Sequence, residues 1–477
     1  MIDEPGRPRR NVAPAAIEDE RTVRRAAMAA SIGNVAEWYD FGIYSYLAAV
    51  VLDRVFFPEA GAWSLVLTLG AFAAAFLVRP LGGFILGPMG DRIGRRRVLA
   101  FTVLLMAAGT IALGLVPSYA AVGIAAPILV LITRLVQGFS SGGEYTGALT
   151  LIAEYAPDRR RGFFGSWLEF GTITGYTLGA GVCTAVIAIL PDEDLLSWGW
   201  RLPFMLALPL GITGVYLRFR LEDTPAFRQL MERSPALATM TYRRAFQILV
   251  KRYRTAALAA GGLVIAWNVT NYVLTNYVPT YLTGTLPRFG QSSTSETMAT
   301  GIQVAVTLLM LCVILTVGRL SDRIGRKPIL MTGSVALIVL GLPAVWLLRE
   351  GLAGQVLGLL IIGGTLVCFA GVAPSTLPAL FPTLIRYGGL AVTFNLAVSI
   401  FAGTAPTIIE TAVTTTGNLD WPGYYLVGAG VIGVLSVYFI KESAGKPLAG
   451  AAPLISSADL PPPPDYLDRI PREGPHR

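Results

Sequence analysis

The stretch "GPMGDRIGRR" at residues 87–96 returns as "GRLSDRIGRK" at residues 318–327. Both fit the pattern G-x-x-x-D-R-x-G-R-[RK]. Each copy sits in a short basic linker, after the second apolar run of its half of the chain. A pattern repeated at matching places predicts a duplicated architecture. The glycines Gly87 and Gly94 allow a tight turn between two helices, and an acid such as Asp91, placed by a helix end, can pair across to the other half. The loops do not cradle phosphate, because G-x-x-x-x-G-K-[ST] is missing from both.

The rest of the chain agrees with a membrane setting. Its 477 residues are 53% hydrophobic and 14% charged, with a mean hydropathy of +0.59. A soluble chain of that composition would expose too much apolar surface. Apolar runs of about 20 residues, the length that crosses a bilayer, centre near residues 38, 74, 108, 133, 176, 209, 269, 308, 338, 366, 400 and 431. Twelve spans with an internal repeat predict an all-α membrane protein of two pseudo-symmetric six-helix halves. In secondary transporters built this way the solute site lies between the halves, near the bilayer midplane. The expected divisions are an N-terminal segment 1–25, a first half 26–220, a charged central loop 221–254, a second half 255–442 and a disordered Pro-rich tail 443–477.

Arginines crowd alternate linkers: Arg92, Arg95, Arg96 and Arg97, then Arg159, Arg160 and Arg161, then the central loop, then Arg323 and Arg326. The positive-inside bias turns these linkers, and with them both termini, toward the cytoplasm. The first 25 residues lack the apolar core of a signal peptide. A multi-pass protein of a bacterial inner (plasma) membrane is expected. The net charge of +8 sits mostly at membrane edges, which argues against a nucleic-acid partner. Three scattered cysteines predict neither disulfide nor metal site. The only histidine is His476, so proton chemistry in the membrane falls to carboxylates. No cofactor is expected, and no nucleophile or metal cluster marks an enzyme.

Longer motifs carry a resemblance. The paired "DRIGR" loops and "RLVQG" at 134–138 resemble signatures of the major facilitator superfamily. "GNVAEWYDFGIY" at 33–44, "QGFSSGGEYTGA" at 137–148, "AEYAPDRRRGFFGSW" at 153–167, "WGWRLPF" at 198–204 and "LEDTPAF" at 221–227 resemble its metabolite:proton symporter family. "EFGTITGYTLGAG" at 169–181 and "NVTNYVLTNYVPTYL" at 268–282 look most like the proline/betaine (osmoprotectant) branch. The resemblance implies the twelve-helix major facilitator fold and proton-coupled uptake. Antiporters of the superfamily usually carry Gly-Pro in helix five; here Gly175-Tyr176 agrees with symport or uniport. The tail has no heptads, so coiled-coil osmosensing is not implied.

Charges inside spans are costly unless they face a polar interior or are paired. Glu37, Asp40, Arg79, Arg134, Glu144 and Glu169 stand out. Glu37, Asp40 and Tyr44 share one helical face, as do Arg134 and Glu144 on another helix. These residues either pair into inert ion pairs or line the transport path. On the second reading Glu37, Asp40, Arg134 and Glu144 couple the proton, since two acids a turn apart do not both stay ionised cheaply. Tyr39, Tyr44, Arg79, Glu169, Trp267, Asn268 and Asn271 are the substrate candidates, the rings being able to hold a quaternary ammonium. Tyr277 and Tyr281 read as interfacial belt residues. Gly87, Asp91, Arg92, Gly94, Arg95, Asp322, Arg323 and Arg326 are the gate candidates. Gly171, Gly175 and Gly179, spaced by four, predict close helix packing.

Two embedded arginines against four acids favour a zwitterion over a di- or tricarboxylate. The expected function is proton-coupled import of a small zwitterionic osmolyte or amino acid, proline/betaine type, by alternating access. The expected partners are that solute, a proton and the lipid bilayer, with the chain acting as a monomer. A proton symporter for an organic acid such as 2-oxoglutarate, citrate or shikimate is the alternative, and a non-transporting membrane osmosensor or receptor is the alternative of another class.

Overall fold

The computed structural model describes residues 16–219, 223–233, 242–292 and 294–456. The first half holds α1 (Glu20–Leu47), α2 (Ser64–Ile93), α3 (Arg95–Leu115), α4 (Ala125–Tyr155), α5 (Arg161–Ile189) and α6 (Leu202–Phe219). The second holds α7 (Arg254–Arg288), α8 (Glu296–Ile324), α9 (Arg326–Leu347), α10 (Gly351–Leu380), α11 (Arg386–Thr416) and α12 (Trp421–Phe439). Two shorter helices, Pro225–Arg233 and Tyr242–Arg252, lie between the halves.

Eleven of the described helices are long and apolar enough to cross a membrane. The twelfth is α1, whose 28 residues reach about 42 Å. Asn34, Glu37, Asp40 and its tyrosines lower its hydropathy, and that polar face is turned into the bundle, with Glu37 and Asp40 fully buried.

Small residues set the close helix contacts. A Cβ on Gly171 would lie 2.5 Å from the Ser31 carbonyl oxygen, and one on Gly175 2.3 Å from that of Val35. The α1–α5 pair therefore packs backbone against backbone, as the spacing of glycines predicts. The halves meet where α2 packs on α11 and α5 on α8. Helices α7 and α11 contain π-helical turns, Val273–Tyr277, Tyr281–Thr285 and Val398–Ala402. Each inserts an extra residue and rotates the face that follows.

Two expectations are corrected. Tyr277 and Tyr281 are not belt residues: both are buried. The Tyr277 hydroxyl donates to Glu410 at 3.1 Å, and that of Tyr281 donates to the Leu419 carbonyl at 2.9 Å. Tyr277 ends one π turn and Tyr281 begins the next. The tail is not disordered from residue 443. Residues 443–456 lie across the end of the bundle that carries the arginine-rich linkers, the basic end. Leu454–Ser456 pairs in parallel with Ala16–Glu18. The Lys446 carbonyl accepts from Arg161 at 3.0 Å, the Ala449 carbonyl from Arg386 at 2.8 Å and from the Thr383 amide at 3.0 Å, and the Leu454 amide donates to Asp158 at 3.1 Å. This strap thus touches both halves. The "PPPP" run lies outside the described residues.

Candidate functional site

Between the halves is a small cavity walled by α1, α2, α4, α5, α7 and α11. Arg79, Glu169, Trp267, Asn268 and Asn271 all line it, as do Trp38, Tyr145, Tyr272 and Phe394. Its volume is ≈ 10 Å³, and a neighbouring space of ≈ 50 Å³ shares Trp38, Asn271 and Tyr272. Ligand pockets usually hold ~300 Å³ or more, so this conformation is closed around room for a few waters.

The charged groups divide into three sets. Arg79 Nη2 donates to Glu37 at 3.1 Å, and Ser141 donates to the same Glu37 oxygen. Arg134 Nη1 donates to Asp40 at 3.1 Å, and Thr110 and Gln137 each donate to the other Asp40 oxygen at 2.8 Å. The two acids of α1 therefore face separate arginines rather than each other. The third set is Glu169, which accepts from Tyr145 at 2.7 Å and from Thr172 at 3.0 Å. Among the described residues no cationic side chain pairs with it. Glu144 is buried on α4.

Tyr39 and Tyr44, expected at the substrate, are turned away from the cavity. Tyr39 is two positions from Glu37, about 200° around the helix, and its hydroxyl donates to the Pro203 carbonyl at 2.9 Å. Tyr44 donates to the Thr68 carbonyl at 3.0 Å, and its ring lies 4.3 Å from the Arg134 guanidinium carbon. It belongs to the Asp40–Arg134 pair. The spacing rule missed Tyr145 and Phe394, although Tyr145 follows Glu144 directly in a quoted motif.

At the basic end the repeated loops make two matching contacts across the seam between the halves. Asp91 accepts from the Tyr387 amide at 3.2 Å and the Gly388 amide at 2.7 Å, in the first turn of α11, and pairs with Arg95 at 3.1 Å. Asp322 accepts from the Gly162 and Phe163 amides at 2.7 and 2.9 Å, in the first turn of α5. Each carboxylate thus crosses the seam to the positive end of a helix in the other half. A Cβ on Gly87 would meet Ala391 at 2.7 Å, so only glycine lets α2 come this close to α11.

Gly94 and Gly325, with φ of 107° and 102°, make the turns into α3 and α9. Asp223 caps the first of these helices by accepting from the Arg96 amide at 3.1 Å. Glu442 caps the second, accepting from Arg326 and Lys327 amides at 3.1 and 2.9 Å. Burial raises the Glu442 carboxyl, but backbone amides of Ala444, Lys327, Arg326 and Ser443 outweigh it and hold the pKa below the ordinary value. Arg92 is half-buried and Arg323 exposed. Sequence reasoning missed Glu154, buried at the seam between Arg95 at 3.3 Å and Arg386, with Thr224 donating to it. Its motif, "AEYAPDRRRG", carried the signal.

Residues 26–454 match the family model described as "Sugar (and other) transporter". The chain belongs to this transporter family. It is a transporter, not an enzyme, and a multi-pass membrane protein. It is 45% identical over 466 residues to the glycine betaine/proline/ectoine/pipecolic acid transporter OusA of Dickeya dadantii (strain 3937), covering 94% of this chain and 90% of that one. It is also 45% identical to the proline/betaine transporter of Escherichia coli (strain K12), covering 92% and 88%. The solved proton:xylose symporter XylE superposes with a TM-score of 0.69 at 20% identity, over 90% of this chain and 98% of that one. That likeness establishes the major facilitator fold.

Proposed function

We propose that this chain is a proton-coupled importer of small zwitterionic osmolytes or amino acids of the proline/betaine kind. It works by alternating access in the inner (plasma) membrane, as a monomer with both termini in the cytoplasm. The observation that carries the reading is that one arginine, Arg79, and one cation-free acid, Glu169, stand on the wall of the same central cavity. A solute carboxylate meets the Arg79 fork, and its ammonium meets Glu169. A dicarboxylate would leave its second charge facing Glu169. The substrates named for the relatives, betaine and proline, are zwitterions, which supports the same choice.

Proton coupling is assigned to the Asp40–Arg134 pair, with Glu37 and Glu144 as further carboxylates on the same two helices. The guanidinium of Arg134 lies 3.1 Å from Asp40, so it stabilises the Asp40 anion when the proton leaves. The Asp91 and Asp322 latches close the cytoplasmic side. Opening that side must break both, and the Glu154–Arg386 pair with them.

Uptake of labelled betaine, proline, ectoine, 2-oxoglutarate and citrate into proteoliposomes, under an inward proton gradient, tests this reading. Betaine or proline should accumulate, and a protonophore should abolish the accumulation. Accumulation of 2-oxoglutarate or citrate instead would select the organic-acid alternative, and no uptake of any solute would select a sensor.

A further inference from the structure

Five aromatic rings line the cavity that holds Arg79 and Glu169. Trp38 and Tyr145 come from the first half, and Trp267, Tyr272 and Phe394 from the second. Tyr145 and Phe394 stack across the seam with centroids 4.8 Å apart and planes 24° apart. Trp267 closes against both, at 6.1 Å from Tyr145 and 6.0 Å from Phe394. The Tyr145 hydroxyl donates to Glu169, which fixes the acid at the edge of this ring cluster.

Aromatic faces attract cations through the ring quadrupole and suit quaternary ammonium groups, which have no hydrogen to donate. A bare ammonium draws its partners from hydrogen-bond acceptors, and here Glu169 is the charged one. We propose that Tyr145, Trp267 and Phe394 form an aromatic box, assembled only when the two halves are together, that ranks solutes by the number of methyl groups on their cationic nitrogen. The proposal rests on the zwitterion reading of the cavity and adds the feature that distinguishes one zwitterion from another. In the present conformation the rings fill one another's space, leaving ≈ 10 Å³. When the halves part, Tyr145 separates from Trp267 and Phe394. A methylated ammonium then takes the place of the lost ring–ring contact, and the halves close again with ring faces against its methyl groups. An unmethylated ammonium also meets the ring quadrupole but must shed water from its N–H groups to do so, so the rings favour it less and Glu169 carries more of its binding.

The test is a methylation ladder. Glycine, sarcosine, dimethylglycine and glycine betaine compete against labelled proline in proteoliposomes holding wild type, Phe394→Leu, Trp267→Leu or the ring-keeping Phe394→Tyr. In wild type, competition should strengthen with each methyl group. The betaine-to-glycine ratio should fall about 10-fold in each leucine variant and hold in Phe394→Tyr. Because the ratio is taken within one preparation, differences in the amount of folded protein cancel. Where a variant does not transport, thermal stabilisation of the detergent-purified protein by the same four compounds gives the same ratio. A ratio unchanged in both leucine variants, or lost equally in Phe394→Tyr, overturns the box while leaving the zwitterion reading intact. A wild type that accepts neither proline nor any member of the ladder overturns both.

Discussion

Asp91→Asn tests the latch at a single atom. The carboxylate holds two amides of α11, at 3.2 and 2.7 Å, and the guanidinium of Arg95. Asparagine keeps one carbonyl oxygen, so one amide bond survives in neutral form, while its NH₂ faces the second amide donor against donor. Hydrogen bonds to a charged group contribute ~1.5–3 kcal/mol and neutral ones ~0.5–1.5. Arg95 retains Glu154, which limits the loss on that side. The closed gate should weaken by about 2–3 kcal/mol, roughly 30- to 150-fold in its closed-to-open ratio. Ser375 reports this ratio. It is fully buried on the seam, facing Gly165 of α5. With the three native cysteines replaced by serine, maleimide labelling of Ser375→Cys should accelerate at least ~10-fold when Asp91→Asn is added. An unchanged labelling rate in correctly inserted protein would refute the latch and leave Asp91 a marker of topology.

Asp40→Asn should abolish gradient-driven accumulation yet leave exchange of labelled for unlabelled solute intact, as measured in the same proteoliposomes; accumulation that persists would remove Asp40 from the coupling path. Gly175→Leu forces a Cβ to 2.3 Å from the Val35 carbonyl, so the yield of monodisperse protein on size exclusion should drop several-fold, whereas Gly181→Leu, where a Cβ meets nothing within 4 Å, should not. Glu442→Gln should lower the melting temperature at pH 7. Because the native pKa is depressed, the cap contributes stability above the unfolded value of about 4.3 and loses it as pH falls through the native pKa. The wild-type advantage should therefore vanish in acid, and a gap that widens there would contradict the capping role.

The repeated loops were the most legible part of the chain, because a contact across the seam needs an acid at one helix end and glycines at fixed offsets, and both are written as residue identity. The charged residues of α1, α2, α4 and α5 were equally visible, since a charge in an apolar run has few explanations. Their partners were not. Spacing on one helix puts Glu37 and Asp40 side by side, but whether each meets an arginine depends on how α2 and α4 cross α1. Tyr277 and Tyr281 were misplaced because a tyrosine near the end of a span reads the same whether it meets the membrane interface or turns into the bundle, where both are buried. Phe394 carried no signal: a lone phenylalanine in an apolar span looks the same whether it meets lipid or a cavity. The strap was hidden for another reason. Its Gly/Ala/Pro-rich composition resembles a solvated tail, yet it is held largely by main-chain groups, which every residue has.

That manner of attachment sets what the strap can tolerate. Carbonyl oxygens of Lys446 and Ala449 and the amide of Leu454 do much of the holding, with Leu448 and Ala452 buried and Gly445 and Gly450 at positive φ, so the exposed side chains of Lys446, Pro447 and Ala449 are the ones free to vary. Spacing is not free to vary. One residue removed between Ala449 and Leu454 shifts the strand pairing with Ala16–Glu18 out of step with the Arg386 anchor, and neither half can be reached without giving up the other. For this segment length is inherited as strictly as the identity of its two positive-φ glycines, and an insertion or deletion breaks both anchors at once.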